Sequence, residues 1–184
     1  MIVIRLLVII SALVLIGAMV ARWWFWGRVK ARGQRTPCSL SVAEVYARLG
    51  VSRKKASDLK DAAALGVAIR DAGLRLMESE GEPAARRRRT GWWNLRILPG
   101  LVALILVFSF FSGKKMASGW VLGAGAALIA LHVVLRIAGI GVELQAVKRG
   151  WKALESAGGF RRVDEAEAVL RCARASVWDT VLPW

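Results

Sequence analysis

The sequence holds one histidine, two cysteines, one tyrosine and only 13 acidic residues against 28 basic ones in 184. A lone histidine, His132, without cysteines or carboxylates beside it, does not build a zinc or haem centre within the chain. Cys38 and Cys172 form no C-x-x-C pair and are too few to staple a scaffold; on a cytoplasmic face they are expected as reduced thiols. The phosphate loop G-x-x-x-x-G-K-[ST], the dinucleotide fingerprint G-x-G-x-x-G and the nucleophile elbow G-x-S-x-G are all missing. The acidic groups Glu78/Glu80/Glu82 and Asp164/Glu165/Glu167 read as solvated surface. No repeat of 20 to 50 residues is evident. No catalytic residue and no cofactor are expected.

What is abundant is apolar: 56% of the residues are hydrophobic and the mean hydropathy is +0.45, which excludes a disordered chain. Greasiness combined with a net charge of +15 means that apolar residues and charges are segregated. Three stretches, 6–21, 97–113 and 116–135, approach the length needed to cross about 30 Å of hydrocarbon, and helix satisfies the backbone there. Arg5 can snorkel at one end of the first, and Trp23, Trp24, Phe25 and Trp26 form an aromatic belt at the other. That belt stands where a cleaved signal peptide would place small residues, so the first stretch reads as a retained span. Trp92 and Trp93 precede the second, and Lys114-Lys115 joins the second to the third as a helical hairpin. In the third, Gly119, Gly123 and Ala127 make a small-residue face for close helix packing, within the chain or against a second copy. His132 lies mid-span and is expected to bond to a neighbouring helix.

Between residues 22 and 96 there are 17 Lys+Arg and 7 Asp+Glu, and from 136 to the end 8 and 6, while only Arg5, Lys114 and Lys115 lie on the other side. The positive-inside rule then places the N-terminus outside and both long segments in the cytoplasm of a bacterial inner membrane. The expected fold is all-α: a transmembrane helix in 1–26, a basic cytoplasmic helical segment in 27–96, a transmembrane hairpin in 97–142 and a cytoplasmic amphipathic tail in 143–184.

Local punctuation predicts the cytoplasmic helices. Ser41 and Glu44 form a capping box, Leu40 and Val45 a staple, and Gly50 a stop. A second helix is expected from Ser52, with Leu59, Ala63 and Val67 as its apolar stripe, breaking near Glu80, Gly81 and Pro83. Arg86, Arg87, Arg88 and Arg89, beside the second span, suit anionic lipid headgroups. In the tail, Leu144, Val147, Trp151 and Leu154 predict one amphipathic helix that Gly158-Gly159 stops; Val163, Ala166, Leu170, Ala173 and Val177 predict another.

Residues 43–57 also suit a helix-turn-helix, with Gly50 in the turn and Arg53, Lys54 and Lys55 on a second helix facing DNA. Tyr46, at a position that needs a small residue, and Ala56, in place of a branched one, depart from that pattern. A membrane-tethered DNA-binding regulator is therefore the alternative to a membrane partner protein.

Gly141-Val142-Glu143-Leu144-Gln145-Ala146, Lys148-Arg149, Ala153-Leu154, Gly158 and Ala168-Val169-Leu170 together resemble the C-terminal part of a bacterial membrane zinc metallopeptidase family, the YugP type. The basic stretch Val29–Arg32, residues 40–48 and Leu98-Pro99 before the hairpin are similar to that family's layout. The resemblance implies a three-span helical membrane protein, with Glu143 as a remnant metal ligand. The family's H-E-x-x-H is missing, and 51–91 is too short for its metal-binding region. The resulting expectation is a non-catalytic relative whose partners are the anionic bilayer and another membrane protein or a second copy.

Overall fold

The computed structural model describes residues 2–52, 57–85 and 115–182, and among these the chain is helical without a strand. Helix α1 spans Ile2–Ala21, runs through a π-helical segment Arg22–Gly27 and continues as α2, Arg28–Gly33, with no turn between them. The short α3, Val42–Arg48, and the long α4, Ala62–Ser79, follow. After them come α5 (Lys115–Ala138), α6 (Ile140–Ser156), α7 (Val163–Ala175) and a 3₁₀ segment, Ser176–Thr180. The second expected span, 97–113, lies outside the described residues.

Two stretches, Val8–Gly33 and Gly123–Ser156, are long and apolar enough to cross a membrane. Helices α1 and α5 pack along each other. Ser11 and Ala18 of α1 and Ala130 and Val133 of α5 are buried, while Leu13, Ile16, Leu131 and Leu135 are exposed. Exposure of large aliphatic side chains on the far faces, with small or β-branched ones between, is the inverse of a water-soluble helix pair.

The segments before and after this pair share one core. α4 is its axis, packed between α6 and α7, with α2 and α3 closing the sides. Val45, Tyr46, Leu65, Ile69, Leu154 and Val169 fill it. Glycine lets these helices approach closely: a Cβ on Gly66 would fall 2.6 Å from the Ala173 amide nitrogen, and one on Gly150 would run into the Ile69 carbonyl.

The capping box is present in full, with the Glu44 amide donating to Ser41 Oγ at 3.2 Å and the Ser41 amide to Glu44 Oε2 at 2.6 Å. Gly50 has φ +64°, and the Val51 and Gly50 amides donate to the Tyr46 and Ala47 carbonyls, closing α3 in a Schellman turn. The same pair of bonds closes α4 at Gly81 and α6 at Gly158, where the sequence places its breaks.

Ser52 and residues 57–60 are not helical. The second helix begins at Ala62, capped by Asp61, whose carboxylate accepts from the Ala64 amide at 2.9 Å. Upstream, the Leu59 and Ser57 carbonyls accept from the Val42 and Ala43 amides, and the Lys60 carbonyl accepts from Cys38. The Leu59 and Ser57 carbonyls thus satisfy first-turn donors of α3 instead of entering a helix of their own. Leu59 is exposed in consequence, and only Ala63 of the expected stripe is fully buried.

The tail helices exist, and Val147, Leu154, Ala173 and Val177 of their expected stripes are buried. Leu144 and Val163 are exposed, whereas Glu143 and Glu165 are buried. Helix α4 packs against both tail helices.

Candidate functional site

The chemistry of the molecule gathers where the apolar pair meets the bundle. Helices α5 and α6 are separated by Gly139 alone, so His132, Arg136 and Glu143, spaced by four and seven residues, share one side of a nearly continuous rod. All three are buried. Glu143 opens α6, where the positive end of the helix dipole favours a carboxylate. Arg70, midway along α4, brings its Nε to 3.6 Å from Glu143 Oε2, with side-chain exposures of 11% and 2%. The same guanidinium donates to the Ser176 carbonyl. The Thr180 hydroxyl lies 3.0 Å from Glu143 Oε1 and 2.8 Å from the Val177 carbonyl, so its single proton serves one of the two.

The C-terminal segment reaches this junction because its other contacts are on α1, the π-helical segment and α5. Phe25 and Trp178 stack with centroids 4.9 Å apart. Arg22 Nη2 pairs with Asp179 Oδ1 at 2.9 Å, and Val181 and Leu182 are buried against Ala18 and Val133. One polar node therefore ties α4, α6 and the C-terminal segment to the ends of the apolar helices.

The Glu143 carboxylate is thus flanked by an arginine and a hydroxyl. Among the described residues no three His, Cys, Asp or Glu side chains gather in a metal-ligating group. Arg70 stands against Glu143 from 73 positions earlier in the chain, a partner that helical spacing does not reveal.

The remaining singled-out residues are dispersed. Gly123 is buried and Ala127 half-buried on α5, while Gly119 belongs to the same helix with its surroundings outside the described residues. Arg53, Lys54 and Lys55, and Arg86, Arg87, Arg88 and Arg89, also lie outside them. Tyr46, the misfit in the helix-turn-helix pattern, is buried and donates its hydroxyl to Asp71 Oδ2 at 2.8 Å, fastening α3 to α4. Those two helices are joined by residues 49–61, a connection too long for a tight helix-turn-helix turn.

Two thiols and a carboxylate in the bundle have shifted acidities. Burial pushes Cys38 and Cys172 up to about 11. The Ser39 amide and hydroxyl, 3.0 and 2.8 Å from Glu165 Oε2, hold that carboxyl below the ordinary glutamate value.

The architecture defines an α-helical bundle carried on apolar helices of membrane-crossing length. Compared with known protein families, curated proteins and solved structures, the chain has no significant match.

Proposed function

We propose that this chain is a non-catalytic integral membrane protein that works as an accessory partner in a bacterial inner membrane. It crosses the bilayer three times, with the N-terminus outside and residues 22–96 and 136–184 in the cytoplasm. It resembles a membrane zinc metallopeptidase deprived of its catalytic region. The observation that carries the reading is continuity. Val8–Gly33 and Gly123–Ser156 each pass from an apolar, outward-exposed stretch directly into the packed bundle. A helix that is rigid across the boundary transmits the position of the membrane segment to the bundle, which is useful to a scaffold and unnecessary for a loosely tethered enzyme. The asymmetry of Lys and Arg supports the orientation, and Trp23 and Trp24, both exposed, suit the interface.

Reporter fusions after residue 60, within 113–117 and after residue 160 of the full chain test the orientation. Cytoplasmic signals at 60 and 160 with an external one at 113–117 are expected, and an external signal at either of the outer two positions overturns it. Elemental analysis of the purified protein tests the non-catalytic reading. About one tightly held zinc per chain, lost in Glu143→Gln or His132→Ala, overturns it. Photocrosslinking from Leu131, exposed on α5, is expected to give an adduct heavier than the single chain. Lipid adducts alone would remove the partner role.

A further inference from the structure

Just beyond the aromatic belt, α2 and α7 enclose a cavity of about 380 Å³ lined by Arg28, Val29, Arg32, Gly33, Thr36, Ala168 and Arg171. Three of its seven lining residues are arginines, and none is acidic. Arg28 and Arg32 stand one turn apart on α2, and Arg171 comes from a helix more than 130 positions later in the chain. No ion pair within 4.0 Å engages any of the three among the described residues.

The pocket is built into the fold. Gly33 sits so close to α7 and α4 that a Cβ on it would fall 2.5 Å from Cys172 Sγ and 3.1 Å from Ala63. That approach brings the α2 arginines within reach of Arg171. The carbonyls at the end of α2 do not oppose an anion: those of Lys30, Arg32 and Gly33 accept from the Gln34, Arg35 and Thr36 amides. The Thr36 hydroxyl donates to the Arg32 carbonyl at 3.1 Å, which leaves the three arginines as the charged residues of the lining. Arg28 is also fixed in place, with Cζ 4.4 Å from the Trp24 ring centroid and 5.9 Å from that of Trp23.

We infer that this cavity binds a phosphate group through Arg28, Arg32 and Arg171, with the headgroup of an anionic phospholipid as its ordinary source. Guanidinium forks match phosphate oxygens bidentately, and the cavity gathers three such side chains from two helices in one lining. Depth argues for the lipid. Arg28 follows Ala21 by seven residues, about 10 Å along the helix at 1.5 Å per residue, which is headgroup level when α1 crosses the bilayer. Only this choice of source rests on the membrane reading proposed above; the anion chemistry rests on the pocket.

The test uses the full chain in uncharged detergent. Native mass spectrometry counts bound phosphatidylglycerol against phosphatidylcholine, and inorganic phosphate is titrated separately. The expected result is one retained phosphatidylglycerol, with affinity about 10- to 30-fold lower in Arg28→Gln/Arg171→Gln, as follows from the worth of two basic residues at a lipid surface. The control Arg161→Gln/Arg174→Gln removes the same charge from residues that do not line the cavity and should retain the lipid. Equal losses in the two variants would mean diffuse electrostatics and overturn the site. Inorganic phosphate binding as tightly as the lipid, and lost in the first variant alone, supports the phosphate pocket and assigns its source to free phosphate. Failure of both ligands overturns the proposal even where reporter fusions place the chain in the membrane. A chain found outside the membrane whose cavity holds phosphate keeps the pocket and loses the lipid.

Discussion

Gly73 of α4 lies against the backbone carbonyl of Ala146 on α6, with no room for a Cβ between them. Seven residues earlier on the same helix, Gly66 makes the equivalent approach to Cys172 and Ala173 of α7. Two residues on one helix, two helical turns apart, thus set how closely both tail helices pack onto α4. Backbone cannot move aside as a flexible side chain can, so the spacing admits hydrogen and little else.

The consequence is a sharp contrast between glycines. Gly73→Ala forces α4 and α6 apart and is expected to cost at least about 2 kcal/mol, the ordinary scale of overpacking. In a chain of this size that lowers the melting temperature by about 5 °C or more. Gly141→Ala, also helical but with nothing within 4 Å of the added carbon, should be neutral or slightly stabilising through helix propensity. Thermal melts of the two detergent-solubilised variants check this, and equal behaviour would show that α4 and α6 are not in contact at Gly73.

Arg70 and Glu143 form the second structural commitment. Breaking one half of a buried pair leaves an uncompensated charge, so Arg70→Met or Glu143→Gln alone should destabilise by about 3 to 5 kcal/mol. The double variant should cost clearly less than the sum, because neither charge is then stranded. Strict additivity in a double-mutant cycle would show that the two groups do not interact.

How much of this was legible follows the range of the interactions. The Ser41–Glu44 box and the stops at Gly50, Gly81 and Gly158 were readable because every bond in them spans a few residues. The start of α4 was not, because the carbonyls of 57–60 bond to amides at 38–43 across the fold. The faces of the tail helices were legible in Val147, Leu154, Ala173 and Val177 but not at their edges. Polarity alone turns Glu143 and Glu165 outward, and their burial depends on Arg70 and Ser39, which lie elsewhere in the chain. The phosphate cavity had no sequence signal at all, since Arg28 and Arg171 meet only through the packing of Gly33. Arginine runs such as 86–89 draw attention in a sequence; separated arginines that converge do not.

The thiols give a direct probe of the bundle. With acidities near 11, Cys38 and Cys172 hold only about one part in a thousand of thiolate at pH 8, and both are buried. Iodoacetamide is expected to leave both unmodified in the folded protein and to alkylate both after denaturation, as intact-mass measurement reads out. Ready alkylation of the folded chain would mean that the contact of α2 with α4 and α7 opens in solution.

The last prediction concerns acid. Glu165 accepts two hydrogen bonds from Ser39 in the first turn of α7, and its folded pKa is lowered relative to the unfolded chain. A lowered carboxyl favours the folded state wherever the unfolded glutamate is ionised, above about pH 4.3, and that contribution is lost as pH falls through the folded value. Because the group sits at the rim of the bundle, about 1 kcal/mol is the appropriate scale for the charged hydrogen bonds. Glu165→Gln should therefore melt a few degrees below the unsubstituted chain at pH 7, and the two curves should converge as the pH falls through the lowered folded value, below which this glutamate is also neutral. A difference that persists undiminished at pH 3 would show that the glutamine loses shape or packing, and that the Ser39 bonds do not depend on the charge.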